Sequence, residues 1–113
     1  MAYNMTLNRV HDTVRIREGR EMILLYVDVD SMKLVAGISQ VQKELQSITE
    51  ETPEEETKRI AKEFARVIFG VDGAEKLSDF YREDPGCIIG ICSKYFSNRL
   101  NKLIEKAQKK IRK

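Results

Sequence analysis

The sequence predicts an α+β fold that is mainly helical, with a two-stranded β-hairpin followed by about four helices. Near the N-terminus, apolar and polar residues alternate up to a glycine, and a run of strand-forming residues follows it, which is typical of a hairpin. From position 31 onward, apolar residues recur at intervals of three and four, which is typical of helices. At 113 residues we expect one domain, with the hairpin over 13–30 and the helical region over 31–113.

The predicted hairpin joins Thr13–Arg17 to Glu21–Asp28 through a turn at Gly19. The second of these strands is apolar on both faces in its middle. We therefore expect one face to pack on helices and the other to be available to another subunit.

The first predicted helix begins at Asp30 or Ser31, because both side chains are good N-caps. Its apolar residues follow one another at spacings of four and three, which predicts a narrow apolar seam. The members of this seam are Leu34, Ile38, Val41, Leu45 and Ile48.

The second predicted helix begins with Thr52 as its cap and Pro53 in its first turn, and it stops at Gly70. A short third helix is predicted after Asp72, which pairs with Glu75 as a cap. It carries Leu77, Phe80 and Tyr81 on its apolar side.

Asp84 and Pro85 predict the start of the last helix by the same capping logic. The first turns of this helix are apolar nearly all round, so we expect them to be buried. Its apolar face comprises Ile88, Ile89, Cys92, Tyr95, Phe96, Leu100, Leu103, Ala107 and Ile111.

Charge is divided unevenly along the chain, although the net charge is only +2. Residues 1–56 hold 6 basic and 11 acidic side chains, a balance of −5, and residues 57–113 hold 14 basic and 7 acidic ones, a balance of +7. This asymmetry favours head-to-tail association of copies or a partner that prefers one end. We expect a homo-oligomer.

The aspartates that follow the second strand are the strongest candidates for chemistry. Asp28 and Asp30 after an apolar strand resemble the Asp-x-Asp of haloacid-dehalogenase-type phosphotransferases, but those enzymes need a doubly wound sheet that this chain is too short to form. A calcium loop that began at Asp28 would need a glycine where Lys33 stands and a glutamate where Ser39 stands. We expect capping residues, no enzyme and no cofactor.

The cysteines and the single histidine do not predict a metal site. Cys87 and Cys92 lie five residues apart on one helix, a poor geometry for a disulfide, so we expect two small buried side chains. His11 is distant in sequence and is expected at the surface.

The basic C-terminus leaves a second interpretation open. Residues 94–113 include eight basic side chains and one acidic one, so nucleic-acid binding or a regulatory role is the alternative function. The basic residues oppose an apolar stripe, as on an ordinary solvated helix, which makes nucleic acid the weaker expectation. No segment has the length of a membrane span or the pattern of a leader, so we expect no membrane contact and a cytoplasmic location.

In the order of its elements and in several short sequence segments, the chain from Val14 to Lys113 resembles the tail assembly chaperones of long-tailed bacteriophages and prophages. The resemblance lies in the hairpin, the helix begun by an Asp/Ser pair, several later segments and the lysine-rich C-terminal end. The later segments are Phe64–Gly70, Ala74–Leu77, Phe80-Tyr81, Cys87–Ile89 and Tyr95-Phe96.

The resemblance implies a non-enzymatic protein that self-associates, coats the helical tape measure protein and keeps it soluble during tail assembly, with the tail tube protein as a possible further partner. It also implies absence from the mature virion. A chaperone of this kind needs an exposed apolar seam that accepts amphipathic helices. The residues expected to form that partner or self-association surface are Leu24, Tyr26, Leu34, Ile38, Val41, Leu45, Ile88, Ile91, Tyr95 and Phe96.

Overall fold

The computed structural model describes residues 9–111, and the side chains of residues 9–98. The described part is an α+β fold, mainly helical, with an antiparallel hairpin and three helices. The elements in chain order are β1 (Arg9–Glu18), β2 (Glu21–Asp30), α1 (Ser31–Gln46), α2 (Glu54–Phe80) and α3 (Pro85–Ile111). The expected class is confirmed, and the expected count of about four helices is corrected to three.

The hairpin is longer than the sequence pattern predicted. β1 begins at Arg9, four residues before the predicted start at Thr13. Cross-strand contacts explain the extension, because Val10 pairs with Val29 and is only 1% exposed. Arg9 adds an ion pair of 2.5 Å from its Nε to an Oδ1 oxygen of Asp28.

The turn of the hairpin lies at Gly19, as predicted. Glu18 pairs with Glu21, which leaves Gly19 and Arg20 as a two-residue loop. Gly19 has a φ of 60°, a left-handed conformation that favours glycine.

One face of the hairpin packs on the helices, because successive side chains of a strand point to opposite faces and each strand carries apolar residues on the face toward the helices. Phe64, Ile68, Phe69, Ala74 and Leu77 of α2 lie in the same buried cluster as this face, together with side chains from α1 and α3. The strand residues buried in the cluster are Val10, Ile16, Leu25 and Val27.

The predicted cap of α1 is confirmed at Asp30. Its Oδ1 oxygen accepts hydrogen bonds from the backbone N–H groups of Met32 (2.9 Å) and Lys33 (3.2 Å). The helix ends at Gln46, so Ile48 lies beyond it and is not part of a helical seam.

The predicted cap of α2 is wrong by one position. Pro53, not Thr52, occupies the N-cap, and its carbonyl oxygen accepts from the N–H of Thr57. The hydroxyl of Thr52 instead accepts from the backbone N–H of Thr49 at 2.8 Å and stabilises the preceding turn.

Gly70 interrupts the helical conformation inside α2 at the residue where the stop was predicted, and α2 is two helical segments joined at this kink. The φ of 78° and ψ of 178° at Gly70 are non-helical, so the predicted third helix is the second half of α2. The expected cap partner Glu75 instead forms a 2.6 Å ion pair with Lys62 of the first half. Because both halves bury side chains in one cluster, the bend keeps them on the same core.

The link between α2 and α3 contains two residues in left-handed conformations. Arg82 has a φ of 52° and Glu83 a φ of 61°. The N–H of Glu83 donates to the carbonyl of Ser78 and the N–H of Arg82 to that of Asp79, which is a Schellman motif without its usual glycine. Asp84 then caps α3 as predicted, and its Oδ1 accepts from the N–H of Gly86 at 3.0 Å.

Candidate binding surfaces beside the hairpin

Four residues of the expected partner surface lie in the interior. Leu34 is 0% exposed, and Ile38, Val41 and Ile88 are each 2% exposed. These side chains form the contact of α1 and α3 with the rest of the core, so they offer no surface to a partner. The seam that the spacing predicted is therefore internal packing.

The other six expected residues reach the surface to different degrees. Leu45 and Phe96 are partly buried and pack against the edge of the core. Ile91 and Tyr95 are also partly buried, and both line a groove between β1 and α3. Leu24 and Tyr26 lie elsewhere, on the outer face of β2. The structure thus separates the expected surface into two regions.

The first region is the β2 patch, which we define as Met22, Leu24, Tyr26 and Phe80. Tyr26 is 59% exposed and Met22 is 44% exposed, while Leu24 and Phe80 are half-buried beside them. They line a shallow depression of about 670 Å³ between β2 and the second half of α2. The expectation that one face of the second strand stays uncovered within the chain agrees with this arrangement.

Charged side chains of both signs border the β2 patch. Lys76 and Asp79 of α2 line the same depression. A bound apolar surface could therefore be flanked by ion pairs with either charge, which is the usual anatomy of an apolar contact with a polar rim.

The second region is the β1 groove, which lies between β1 and α3 and has a volume of about 540 Å³. Its apolar lining comes from Val14 and Ile16 of β1 and from Ile91 and Tyr95 of α3. Further lining residues are Arg15, Arg17, Glu18, Tyr81, Lys94 and Asn98.

Two tyrosine–carboxylate hydrogen bonds hold β1 beside the helices at this groove. The hydroxyl of Tyr95 donates to Oδ2 of Asp12 at 2.6 Å, and that of Tyr81 donates to Oε1 of Glu18 at 3.2 Å. Burial and the bond to Glu18 raise the pKa of Tyr81 to about 12. The groove is thus fixed at two points along β1.

The β1 groove is positively charged. Arg15, Arg17 and Lys94 are exposed, and none of them lies in an ion pair within residues 9–98. The single carboxylate in the lining, that of Glu18, accepts the hydrogen bond from Tyr81. The electrostatics of this groove favour an acidic ligand.

Asp28 and Asp30, at the C-terminal end of β2, both contact nearby groups of the chain. Asp28 contacts Arg9 and also lies 3.6 Å from Nδ1 of His11. The hydrogen bond from Arg9 holds the pKa of Asp28 below its ordinary value, and Asp30 caps α1. The side chain of His11 is 80% exposed, which confirms its expected surface position.

The two cysteines differ, which corrects the expectation that both are buried. Cys92 is 0% exposed and burial raises its pKa to about 12, whereas Cys87 is exposed in the first turn of α3. The start of α3 is therefore buried on one side only. Among the described residues, no group of three or more potential ligands could hold a metal ion.

Within the described residues, no helix combines the length and apolar character that crossing a membrane requires. The basic side chains from Arg99 onward, on which the nucleic-acid interpretation depends, lie outside the side chains that the structure describes.

Sequence reasoning missed the residues that complete each region. Phe80 was expected on the apolar side of the segment after Gly70, but its position beside β2 depends on how that segment packs and was not predicted. The alternation of Arg15 and Arg17 with Val14 and Ile16 along β1 indicates that one face of the strand is basic and the other is apolar. Comparison with family models, curated proteins and solved structures gives no match to this chain.

Proposed function

We propose that the chain is a non-enzymatic tail assembly chaperone of a long-tailed phage or prophage. In this proposal it self-associates in the host cytoplasm and binds the helical tape measure protein, which it keeps soluble until the tail assembles. The observation that carries the proposal is the uncovered β2 patch, in which Tyr26 is 59% exposed and Met22 is 44% exposed.

The β2 patch suits the apolar face of an amphipathic helix. Met22, Leu24 and Tyr26 project from the same face at intervals of two residues, so they extend over about 13 Å at roughly 3.3 Å per residue. This length matches about two and a half turns of a helix with a pitch of about 5.4 Å. The patch therefore has room for anchors at positions i, i+4 and i+7 of a client.

The sequence resemblance supports the same function from a different direction. The resemblance depends on the order of elements and on sequence segments such as Phe64–Gly70. The β2 patch is defined by the solvent exposure of its side chains. A gene for a major tail protein upstream and a very long helical protein downstream would agree with the proposal. Neighbours of unrelated kinds would contradict the assignment to phage tails.

Coexpression with that long helical protein tests the proposal directly. We expect the wild-type chain to raise the soluble fraction of the client, and Tyr26→Glu to abolish this effect because a charge would be placed at the centre of the contact. Met32→Glu is the matched control, since Met32 is 74% exposed on α1 and does not line the patch.

Two outcomes would count against the proposal. A client that stays insoluble with the wild-type chain would contradict the chaperone activity itself. A client that both variants solubilise as well as the wild type would place the contact away from the β2 patch.

A further inference from the structure

We propose that the β1 groove binds an extended acidic segment of a partner protein, which adds to the free edge of β1 as a third strand. This inference does not rest on the helical client, because it concerns the backbone edge of β1, although Arg15 and Arg17 lie on the same face of the hairpin as the β2 patch. It rests on an unpaired strand edge, an apolar floor and an excess of positive charge at one place.

Within the described part of the chain, one backbone edge of β1 has no strand beside it. Within residues 9–111 the sheet has only two strands, so β1 pairs with β2 on one side and with no strand on the other. Every second residue of this ten-residue strand directs its N–H and C=O groups to that side, which is the template used in strand addition.

The floor of the groove lies where the side chains of a third strand would point. β1 is held beside α3 by the bond between Asp12 and Tyr95, and the apolar side chains of Ile91 and Tyr95 extend the floor past the edge of the sheet. A strand placed about 4.8 Å from β1 would direct every second side chain onto this floor. Apolar residues at those positions would bury it.

The positive charge of the groove determines which residues suit the outward-facing positions of the added strand. Arg15 and Arg17 lie on the outer face of β1, opposite Leu24 and Met22 in the register. Charges of opposite sign that face each other on neighbouring strands attract one another. The outward positions of the added strand should therefore be Glu or Asp. Lys94 on α3 adds a third positive charge beside the groove. The ligand class is a segment of alternating acidic and apolar residues.

A helix fits this site less well. A helix satisfies its own backbone hydrogen bonds, so it would leave the N–H and C=O groups of the β1 edge without protein partners. Its diameter of about 10 Å is also twice the spacing between strands. An extended segment satisfies both the backbone and the floor.

The test uses a labelled synthetic peptide of about ten residues, the length of β1, that alternates Glu with Val. We expect fluorescence anisotropy to show saturable binding to the full-length protein, and a peptide with Lys in place of Glu to bind at least about tenfold more weakly. The double variant Arg15→Ala/Arg17→Ala should weaken binding of the acidic peptide about tenfold. Arg20→Ala, which makes the same kind of change in the exposed turn, should leave it nearly unchanged.

Backbone methylation distinguishes strand addition from simple charge attraction. In one peptide the nitrogens of all odd residues are methylated, and in a second those of all even residues. Only one set can face β1, so one peptide should lose binding and the other should keep it. Equal binding of the two peptides would overturn the proposal.

Two other occupants would give different results. An acidic amphipathic helical peptide of the same charge that binds more tightly than the extended one would overturn strand addition. So would self-association, detected by light scattering, that Arg15→Ala/Arg17→Ala abolishes while the acidic peptide fails to bind. That result would assign the groove to a second copy of the chain.

Discussion

The hydroxyl of Tyr95 donates a hydrogen bond of 2.6 Å to Oδ2 of Asp12, which joins α3 to β1 across 83 positions of sequence. The bond lies in a partly buried setting beside the β1 groove. It therefore links the last helix to the first strand and contributes to the shape of the proposed peptide site.

Removal of this hydroxyl should destabilise the fold. We expect Tyr95→Phe to lower the free energy of unfolding by about 1 kcal/mol, because the Asp12 carboxylate loses a partly buried donor. Urea denaturation measures the change. Tyr26→Phe is the control, since the side chain of Tyr26 is 59% exposed. Equal effects of the two variants would contradict a stabilising role for the bond.

Gly37 of α1 lies directly against the side chain of Val67 of α2. A Cβ atom there would lie 2.6 Å from Cγ1 of Val67, so Gly37→Ala should cost about 1–2 kcal/mol of stability through overpacking. Gly90 on α3 has no atom within 4 Å of the same position, and Gly90→Ala should stabilise by about 0.5–1 kcal/mol through helix propensity. Thermal denaturation that shifts both variants in the same direction would contradict this packing.

Arg82 occupies the position that a Schellman motif usually gives to glycine. We expect Arg82→Gly to stabilise the protein by about 0.5–1 kcal/mol, because its φ of 52° is unfavourable for a residue with a Cβ atom. Arg82→Ala keeps the Cβ atom and should show no such gain. Chemical denaturation of the three proteins checks the order, and an Ala variant as stable as the Gly variant would exclude relief of backbone strain.

Tyr81 should make stability depend on alkaline pH. Its pKa is raised from 10.0 to about 12 in the folded chain, chiefly by burial. The unfolded tyrosine therefore loses its proton first, so this contribution to stability is complete below pH 10 and is lost as the pH rises toward 12. Tyr81→Phe should show a smaller drop in melting temperature over this interval than the wild type. A Tyr81→Phe profile parallel to the wild type would contradict the assignment.

The parts of the fold that local chemistry determines were predictable from the sequence. Asp30 and Asp84 cap helices through hydrogen bonds that span only two or three residues, so their positions could be inferred from the sequence nearby. The run of strand-forming residues that is apolar on both faces likewise predicted β2 and its partly uncovered face.

Other features depend on contacts between distant residues. A glycine with a positive φ can end a helix before a loop or join two helical segments directly, and the segments that meet at Gly70 bury side chains in one core. The candidate surface likewise could not be located from the sequence alone. The sequence places Leu34 and Tyr26 in apolar runs, but it does not show which of the two other elements cover. Leu34 is 0% exposed and Tyr26 is 59% exposed.

Hydrogen exchange of the 113-residue chain, with and without the helical client, shows directly whether the client binds at the β2 patch. If the β2 patch is the contact, amides of residues 22–26 and of residues 76–80 should exchange more slowly in the complex, because the client covers both sides of the depression. Gains in protection confined to residues 99–111 would exclude the β2 patch as the contact, since the client would then bind the basic end of α3.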